Sequence, residues 1–303
     1  METIGFIGLG RIGTGMALNI QRAGYPMVVH DIREDACKPL LEGGSRLGGS
    51  AADVASQSDV TFTSVPGPLE LEQVATGPDG VLHGIKRGAV YLDLSTTYPS
   101  IYHRLEPQFR RQGAALMDAP VLTGPKRAMQ GETTVLVGGD DETFKRVLPI
   151  LNAFAAKVVH AGPLGHGTIC KLVSNMIIFG VNQMVAEGLT LSVKAGLDLR
   201  ALLEAGGGGM GVLNPVRTAT LADSVFKGDY DSPRFTLALT AKDIGLALDL
   251  AREHSVPLPL ASQVQQFIIQ GINRGWSEKD YTIPFVLQEE RAGVQVRADL
   301  PGE

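Results

Sequence analysis

The stretch TIGFIGLGRIGTGMALNIQRAGYPMVVHD, residues 3–31, decides the fold of the N-terminal half of the chain. A short apolar run leads into the sequence GLGRIG at residues 8–13, a helical pattern follows, and a second apolar run closes on Asp31. This is the order of elements in a dinucleotide-binding βαβ unit. There Gly8 allows the tight turn, Gly10 lets the backbone approach a pyrophosphate, and Gly13 lets the helix pack against the strand. The stretch therefore predicts that a dinucleotide binds at the helix N-terminus.

Strand and helix patterns continue to alternate up to about residue 160. The strand candidates are Thr3–Leu9, Met27–His30, Val60–Val65, Ala89–Leu94, Ala114–Asp118, Thr133–Val137 and Lys157–His160, and further helix candidates are Ser50–Gln57, Leu69–Thr76, Ser100–Gln112 and Asp140–Phe154. The alternation predicts an α/β fold with a Rossmann-type, doubly wound parallel sheet. Because ligands bind beyond the carboxyl ends of such strands, we expect segments 65–67, 95–97 and 118–124 to line the site. Their Pro, Gly, Ser and Thr residues are equally those of ordinary turns.

After Gly165 only helical patterns remain: Gly165–Lys194, Asp198–Glu204, Asn214–Ala222, Thr236–Glu253, Leu260–Asn273 and Ser277–Glu290. We therefore expect two domains with a boundary near Pro163. Residues 1–163 form the dinucleotide-binding sheet, and residues 164–303 form an all-helical domain for substrate binding and dimerisation, joined to the sheet by a long interdomain helix. The polar tail from Arg291 is expected to be loosely ordered.

The longest helical pattern, GHGTICKLVSNMIIFGVNQMVAEGLTLSVK at residues 165–194, is apolar nearly all round, which indicates a buried helix. Lys171 and Asn175 share one face, which Asn182 extends. Polar residues interrupt the run too often for a transmembrane helix. A lysine on a core helix can also snorkel to water without a function, and the spacing alone leaves both interpretations open. Since one domain does not evidently cover every face of this helix, we expect a homodimer or homotetramer.

Composition narrows the class of protein. The chain has 303 residues, 44% of them hydrophobic and 19% charged, as in a globular protein. A formal net charge of −5 without a basic cluster argues against nucleic acid as a partner. Cys37 and Cys170 lie far apart and make no metal-ligand pattern, so we expect no metal and reduced thiols in a cytoplasmic protein. A strand that starts directly after Met1 leaves no room for a signal peptide.

Four separated motifs resemble the β-hydroxyacid dehydrogenase family along nearly the whole chain. GLGRIGTGMALNI from Gly8 is similar to the family's cofactor signature GxGxMGxxMAxNL, with Ile12 in place of methionine. DAPVLTGPKRAMQGETTVLVGG from Asp118 is similar to its substrate motif DAPVSGGxxGAxxGTLTxMVGG. GHGTICKLVSN from Gly165 resembles the catalytic GxGxxxKxxNN, with Ser174 at the first Asn. FTLALTAKDIGLAL from Phe235 is similar to the C-terminal segment that closes over the cofactor.

The resemblance implies an NAD(P)-dependent 3-hydroxyacid dehydrogenase in which Lys171 is the general acid/base and Asn175 holds the substrate hydroxyl. A lysine suits this role when burial lowers its pKa toward working pH. The implied cofactor-binding residues are Gly8, Gly10, Arg11, Ile12, Gly13, Asp31, Ile32, Val65, Pro66, Thr96 and Lys242, and the implied substrate-binding residues are Leu122, Thr123, Gly124, Lys171, Asn175 and Phe235. Asp31 favours NAD, because a carboxylate binds both ribose hydroxyls and repels the 2′-phosphate of NADP. Arg33 lies close enough in sequence to soften that repulsion.

Two departures from the family motifs bear on the substrate. Leu122-Thr123-Gly124 stands where the family has Ser-Gly-Gly, so a hydroxyl that grips the substrate carboxylate is missing. Lys126 and Arg127 add positive charge near this loop if they face inward, although such residues are more often solvated. The run Gly206–Gly209 stands where relatives carry bulkier side chains, which leaves that wall bare and mobile. We therefore expect a small hydroxy acid with more apolar bulk than 3-hydroxyisobutyrate.

Two alternatives remain at this point. The first is an NADPH-dependent reductase of another carbonyl or of an imine; imine reductases resemble this architecture but typically lack the lysine and prefer NADP. A phosphogluconate dehydrogenase is disfavoured, because the chain is too short for that family's large C-terminal domain. The second is a non-catalytic dinucleotide-binding protein, which the presence of both Lys171 and Asn175 disfavours.

Overall fold

The structure is a computed structural model that describes residues 1–206 and 220–298. The chain divides into two compact units, Met1–Leu172 and Val173–Glu303, and the division falls inside the long helix. The first turn of that helix belongs with the first unit because Asp118, at the end of a strand, accepts hydrogen bonds from its backbone. The domain boundary near Pro163 stays a prediction.

The first unit is built on one sheet. In this fully described part of the chain the nine strands are β1 (Ile4–Ile7), β2 (Met27–His30), β3 (Arg46–Leu47), β4 (Val60–Thr63), β5 (Val90–Asp93), β6 (Ala115–Asp118), β7 (Val121–Leu122), β8 (Thr133–Gly138) and β9 (Ala155–Gly162). Strands β3-β2-β1-β4-β5-β6 are parallel in that order, which is the order of a dinucleotide-binding fold. The predicted doubly wound sheet is confirmed.

Helices alternate with these strands along the chain. They are α1 (Gly13–Arg22), α2 (Lys38–Glu42), α3 (Ala51–Gln57), α4 (Pro68–Thr76), α5 (Val81–Gly84), α6 (Pro99–Arg111), α7 (Pro125–Met129) and α8 (Asp141–Leu151). The apolar run of β1 is buried along its full length because both of its faces are covered. Phe6 stacks on Phe62 in one hydrophobic cluster, while the next residue, Ile7, belongs to a second cluster. This alternation follows from the two-residue period of a strand.

Two strands, β8 and β9, run opposite to the rest of the sheet and depart from the predicted parallel arrangement. Strand β8 is antiparallel to β6 and β7, and only β9 runs parallel to it. The connection from β7 to β8 contains only the short helix α7 and a turn. A parallel connection needs a crossover of a dozen or more residues, so this short connection returns the chain in the opposite direction.

The long helix α9 spans His166–Lys194, close to the predicted bounds. Among the residues that the structure describes, it is the one helix that is long and apolar enough to cross a membrane. In its most apolar stretch of 18 residues, 44% of the residues are buried within the protein. The core helix of a globular protein meets the same length and hydropathy criteria. Lys171, Asn175 and Asn182 are all buried on it, which agrees with a core helix that carries polar groups inward.

The regular elements described in the second unit are helices joined by turns. Beyond α9 it contains α10 (Leu199–Gly206), α11 (Leu237–Glu253), α12 (Pro259–Asn273) and α13 (Pro284–Ala292). Leu189, Ile244, Ile268 and Phe285 lie in its hydrophobic core. The helix predicted over Ser277–Glu290 begins later, at Pro284. The preceding residues form turns, because Asp280 accepts hydrogen bonds from the backbone of Arg234 and Thr282 and holds the chain away from helical geometry.

The tail is more ordered than the sequence indicates. Val296 is fully buried in the core of the second unit, and its N–H donates to the buried Glu289 carboxylate, which also pairs with Arg297. The expectation of a loose tail from Arg291 is therefore wrong up to Ala298. Residues 207–219 and 299–303 lie outside the described residues, and with them most of the Gly206–Gly209 run and of the helix predicted over Asn214–Ala222.

Candidate active site

The glycine-rich loop after β1 has the geometry that a phosphate requires. Gly8 has a φ of +91°, and a Cβ there would overlap the Ser64 carbonyl oxygen. A Cβ at Gly13 would overlap the carbonyl oxygen of Gly8, whereas one at Gly10 would meet nothing within 4 Å. Gly8 and Gly13 thus allow the tight loop, and Gly10 leaves its outer side open. The loop therefore fits a dinucleotide pyrophosphate.

The N-terminus of α1 supplies the matching electrostatics. Ile12 is its N-cap residue, and within the described chain no side chain caps this end and no acidic residue lies in the first turn. The Thr14 hydroxyl donates to the Leu9 carbonyl oxygen over 2.7 Å, which fixes the loop against the helix. The exposed backbone N–H groups and the helix dipole favour an anion here. Arg11 lies exposed on the same loop.

A further glycine of this segment was not singled out from the sequence. A Cβ at Gly15 would lie 2.7 Å from the Met129 backbone nitrogen, so Gly15 allows α1 to pack against α7. The alternating glycines in GLGRIGTG are the signal that could have identified it.

Asp31 follows β2 and holds the glycine-rich loop. Its Oδ2 accepts the Leu9 N–H over 2.6 Å, and its Oδ1 accepts the Arg33 N–H over 2.8 Å. The Arg33 guanidinium lies 3.8 Å from Oδ1, and the carboxylate is nearly buried. Ile32 is 96% exposed beside it. Each carboxylate oxygen keeps a lone pair that can accept from a ribose hydroxyl.

The ends of β4 and β5 are tied together by a buried carboxylate that sequence reasoning missed. The Val65 N–H donates to the Ser95 hydroxyl, which donates to Asp93. Asp93 also accepts hydrogen bonds from Thr63 and Tyr102. Burial raises the pKa of the Asp93 carboxyl, and its hydroxyl donors oppose that shift by stabilising the charged form. This network fixes the segments that carry the predicted cofactor-binding residues Pro66 and Thr96.

Asp118, at the end of β6, holds the start of α9. Its Oδ1 accepts the Gly165 N–H and its Oδ2 accepts the Thr168 N–H, each over 2.6 Å. Burial raises the pKa of the Asp118 carboxyl, and the two backbone donors counteract this. Lys171 follows on the same helix and is buried. Asp118 also begins the predicted substrate loop.

That loop continues through β7 to α7. Leu122 pairs with Thr134 of β8 and is half-buried, and the Thr123 hydroxyl donates to the Gly124 carbonyl oxygen over 3.2 Å. Gly124 precedes the first residue of α7, and a Cβ on it would meet nothing within 4 Å. The basic residues of α7 are exposed, and Arg127 lies 3.6 Å from Glu132. Arg127 is thus paired with an acid, and Lys126 is exposed to solvent.

In the second unit, Asp243 brings two predicted residues together. The Asn175 amide donates to Asp243 Oδ2 over 2.6 Å, and Lys242 Nζ lies 3.2 Å from Asp243 Oδ1, a charge contact whose angles are not those of a hydrogen bond. Asp243 is almost fully buried. Because a carboxylate only accepts, the Asn175 NH₂ must face it, and the Asn175 carbonyl oxygen is turned away. The Lys-Asp pair in the sequence indicated Lys242 but not this role of its neighbour.

Phe235 belongs to an aromatic cluster of the second unit. Its ring centroid lies 6.4 Å from that of Phe179 and 6.3 Å from that of Tyr281. Phe179 lies four residues after Asn175 on α9, so the two share a face. The aromatic cluster therefore places apolar side chains on the same face of α9 as the Asn175 amide.

The predicted residues thus fall into two groups. The first unit places Gly8, Gly10, Gly13, Asp31, Val65, Pro66 and Thr96 at the carboxyl ends of β1, β2, β4 and β5, and it also holds Leu122, Thr123, Gly124 and Lys171. The second unit joins Asn175 to Lys242 through Asp243 and holds Phe235. Lys171 and Asn175 lie one turn apart on α9. Within the described residues, no three His, Cys, Asp or Glu side chains form a group that could hold a metal ion.

Known proteins resemble the chain along almost its full length. Residues 3–162 match the NAD-binding domain of 6-phosphogluconate dehydrogenase, and residues 165–285 match the NAD-binding domain of NADP-dependent 3-hydroxyisobutyrate dehydrogenase. The mitochondrial 3-hydroxyisobutyrate dehydrogenase of Bos taurus is 33% identical over 294 residues, covering 95% of this chain and 87% of the relative. The 2-(hydroxymethyl)glutarate dehydrogenase of Eubacterium barkeri is 32% identical over 293 residues, covering 97% of both chains.

A solved structure extends the match to three dimensions. The 3-hydroxyisobutyrate dehydrogenase of Mycobacterium tuberculosis with L-serine has a TM-score of 0.82 and 25% identity to this chain, covering 95% of this chain and 99% of its own. The chain belongs to the β-hydroxyacid dehydrogenase family.

Proposed function

We propose that the protein is an NAD-dependent dehydrogenase that oxidises the alcohol carbon of a small 3-hydroxy acid, or reduces the corresponding carbonyl, with Lys171 as general acid/base. The observation that carries the proposal is the pair on α9. Lys171 is buried, and Asn175 lies one turn away with its amide oriented by Asp243. A buried lysine beside an oriented amide suits the handling of a hydroxyl proton.

The cofactor is held by backbone geometry and by Asp31. The open face at Gly10 and the uncapped N-terminus of α1 receive the pyrophosphate, and the Asp31 carboxylate receives the adenosine ribose. Val65, Pro66 and Thr96 line the cleft, and Lys242 is a further cofactor-binding residue in the proposal. When bound, the nicotinamide ring accepts or donates the hydride. We favour NAD over NADP because the nearly buried Asp31 carboxylate repels a 2′-phosphate, although the Arg33 guanidinium at 3.8 Å weakens the repulsion.

Lys171 moves the proton that accompanies the hydride. In alcohol oxidation, neutral Lys171 Nζ takes the hydroxyl proton while the carbon loses its hydride, and a carbonyl forms. In the reverse direction, the ammonium form returns the proton to the carbonyl oxygen. A positioned acid/base of this kind contributes roughly 10²–10⁴-fold to the rate.

Asn175 holds the reacting hydroxyl. One N–H of the Asn175 amide donates to Asp243, and the second N–H donates to the substrate oxygen, first as the hydroxyl and then as the carbonyl, which leaves the hydroxyl proton for Lys171. Without Asp243 the amide could flip. The buried carboxylate therefore determines which atoms Asn175 offers.

The substrate is a carboxylated alcohol larger than 3-hydroxyisobutyrate. The related enzymes are dehydrogenases of 3-hydroxyisobutyrate and of 2-(hydroxymethyl)glutarate, which supports this class. Leu122 supplies apolar surface in the loop where the family places a serine, so backbone N–H groups bind the carboxylate, together with the Thr123 hydroxyl once it turns away from the Gly124 carbonyl oxygen. The enzyme works as a homodimer or homotetramer in the cytoplasm, without a nucleic acid or membrane partner.

The test is an NAD reduction assay with a panel of 3-hydroxy acids that includes small, bulky, sulfonated and aromatic members. We expect the unmodified enzyme to oxidise at least one carboxylated member, and Lys171→Ala to lower kcat on it by roughly a hundredfold or more. The dissociation constant for NAD should change little, since the lysine serves the reacting oxygen. Lys194→Ala, which removes an exposed lysine from the same helix, is the matched control and should leave kcat unchanged.

Several results would contradict the proposal. Near-full turnover of Lys171→Ala would remove the mechanism. Reduction of an imine or an uncharged ketone with NADPH, without activity on any hydroxy acid, would favour the alternative reductase. NAD binding without turnover of any substrate would point to a non-catalytic dinucleotide-binding protein.

A further inference from the structure

The start of α9 lacks a cap from its own sequence. The first intrahelical hydrogen bond runs from the Ile169 N–H to the Gly165 carbonyl oxygen, so Gly165 stands at the N-cap position. Glycine has no side chain that can accept the Thr168 N–H, as a serine or aspartate at this position would. Asp118 fills that role from the end of β6, and it accepts the Gly165 N–H as well.

The fit around this carboxylate is tight on two sides. A Cβ at Gly138 would overlap Asp118 Oδ1, and a Cβ at Gly167 would lie 3.0 Å from Oδ2 while overlapping the Leu136 carbonyl oxygen. Glycines on β8 and α9 thus allow both segments to approach Asp118. The carboxylate is fully buried, and its two oxygens face backbone donors of one helix.

We propose that Asp118 is a positioning residue for catalysis: by capping α9 from the sheet, it fixes the helical turns that carry Lys171 relative to the substrate loop that Asp118 itself begins. Lys171 lies three residues after Thr168, within the first two turns of α9. Asp118 also leads directly into the segment 118–124. One side chain therefore sets the spacing between the acid/base and the loop.

This spacing matters because the rate depends steeply on geometry. A displacement of about 1 Å in a catalytic group can cost on the order of a hundredfold in rate. Asp118 does not contact the reacting atoms in this role and moves no proton. The inference rests on the proposed function for its effect on turnover, but its effect on the helix is independent of any substrate.

The test replaces Asp118 by asparagine. Asp118→Asn keeps the shape but turns an NH₂ toward one of the two backbone N–H donors, so one hydrogen bond is lost and two donors oppose each other. We expect hydrogen exchange at the Gly165 and Thr168 amides of the cofactor-free protein to accelerate by about tenfold or more, as loss of a helix cap implies. We also expect kcat on the best hydroxy acid to fall by roughly ten- to a hundredfold, with the dissociation constant for NAD changed less than about twofold, because the glycine-rich loop is untouched.

The matched control is Asp140→Asn. Asp140 caps α8 in the same unit by accepting the Thr143 N–H over 2.9 Å, but α8 carries none of the site residues. This variant should lower neither kcat nor the protection of the α9 amides. An equal fall in kcat for both variants would show a general stability effect and would overturn the proposal. The proposal would also be overturned if Asp118→Asn left both kcat and the hydrogen exchange of the α9 amides unchanged.

Two further measurements decide the remaining cases. If Asp118→Asn does not fold, Asp118→Ser, which keeps one acceptor in less volume, is measured in the same way. The exchange of the unmodified protein is also decisive, because the proposal requires slow exchange at Gly165 and Thr168, and rapid exchange there would overturn it. If no hydroxy acid is oxidised, the proposed function fails while the exchange and NAD-binding measurements still test Asp118.

Discussion

Four aspartates organise the candidate site, and each acts on a neighbouring group through hydrogen bonds. Asp31 accepts a hydrogen bond from the Leu9 N–H, and Asp93 accepts hydrogen bonds from hydroxyl groups. Asp118 caps α9, and Asp243 orients Asn175. A buried carboxylate is costly unless hydrogen-bond donors surround it, and all four have such donors. The acids therefore hold in place the loops and side chains that we propose as the cofactor and substrate site.

We propose two functions for Asp31 that one substitution would remove together. We expect Asp31→Ala to weaken NAD binding and to reduce the preference for NAD over NADP, because it removes the hydrogen bonds to the ribose and the repulsion of the 2′-phosphate. A hydrogen bond to a charged group contributes about 1.5–3 kcal/mol, so the loss for NAD should be roughly tenfold or more. The measurement is kcat/KM with each cofactor, and Asp35→Ala, an exposed acid nearby, is the control. A higher kcat/KM with NADP in the unmodified enzyme would refute this interpretation of Asp31.

Leu122 determines substrate size in this account. A leucine in place of the family's serine removes a hydrogen bond to the substrate carboxylate and adds apolar surface. Burial of such a side chain contributes about 1.5–3 kcal/mol, which is comparable to the contribution of the lost hydrogen bond. We expect Leu122→Ser to shift kcat/KM from a bulky hydroxy acid toward 3-hydroxyisobutyrate. Leu47→Ser, at an exposed leucine of β3, controls for a general loss of apolar surface. If the unmodified enzyme prefers 3-hydroxyisobutyrate and Leu122→Ser changes nothing, Leu122 faces away from the substrate.

The sequence allowed some of these residues to be identified and not others. The spacing between the glycines and Asp31 is set by one local βαβ unit, so it can be recognised in a single stretch. Asp93 and Asp118 have partners that are distant in sequence, such as Tyr102 for the first and Thr168 for the second. An aspartate at a strand end is also common turn chemistry, so sequence alone does not distinguish these two from ordinary loop residues.

At the scale of the element, α9 has faces with different properties. One face is buried in the protein and carries Lys171, Asn175 and Asn182. On another, Ile177, Met184 and Leu191 recur every seven residues, or about two turns, and are 55%, 66% and 69% exposed. Such a continuous apolar stripe is typical of a surface that another protein chain covers.

We expect this stripe to lie at the interface between copies of the chain. Light scattering should give the mass of a dimer or tetramer at micromolar concentration, and Met184→Glu should shift the population toward monomer, because a charge at a buried interface position is costly. Leu69→Glu, at a 77% exposed leucine of α4, is the control and should leave the mass unchanged. A stable monomer of the unmodified protein would contradict the prediction.

The ends of the helices could be predicted where the spacing of apolar residues along the sequence was regular. The limits of α9 and α11 were predicted to within one residue, because apolar residues recur at helical spacing along both. The error at Ser277–Ile283 arose because Asp280 accepts backbone N–H groups in a turn, which an apolar pattern does not reveal. The tail was misjudged because a single buried residue, Val296, anchors an otherwise polar segment.

At the scale of the whole molecule, the chain combines a dinucleotide-binding sheet with a helical unit. The order of strands in the sheet follows from the alternation of patterns and the preference of parallel strands for crossover helices. The antiparallel β8 could not be predicted, since the short connection between β7 and β8 was not recognised. The first unit holds the glycine-rich loop and Lys171, and the second holds Asn175 and Lys242.

The central claim is that a hydride passes directly between the alcohol carbon of a hydroxy acid and the nicotinamide. The most direct measurement uses the best substrate of the panel with deuterium on its alcohol carbon and determines by mass spectrometry where the label arrives. We expect every molecule of reduced cofactor to carry one deuterium, and Lys171→Ala to slow its formation without changing the position of the label. Reduced cofactor without deuterium, or no turnover of any carboxylated alcohol, would contradict the account.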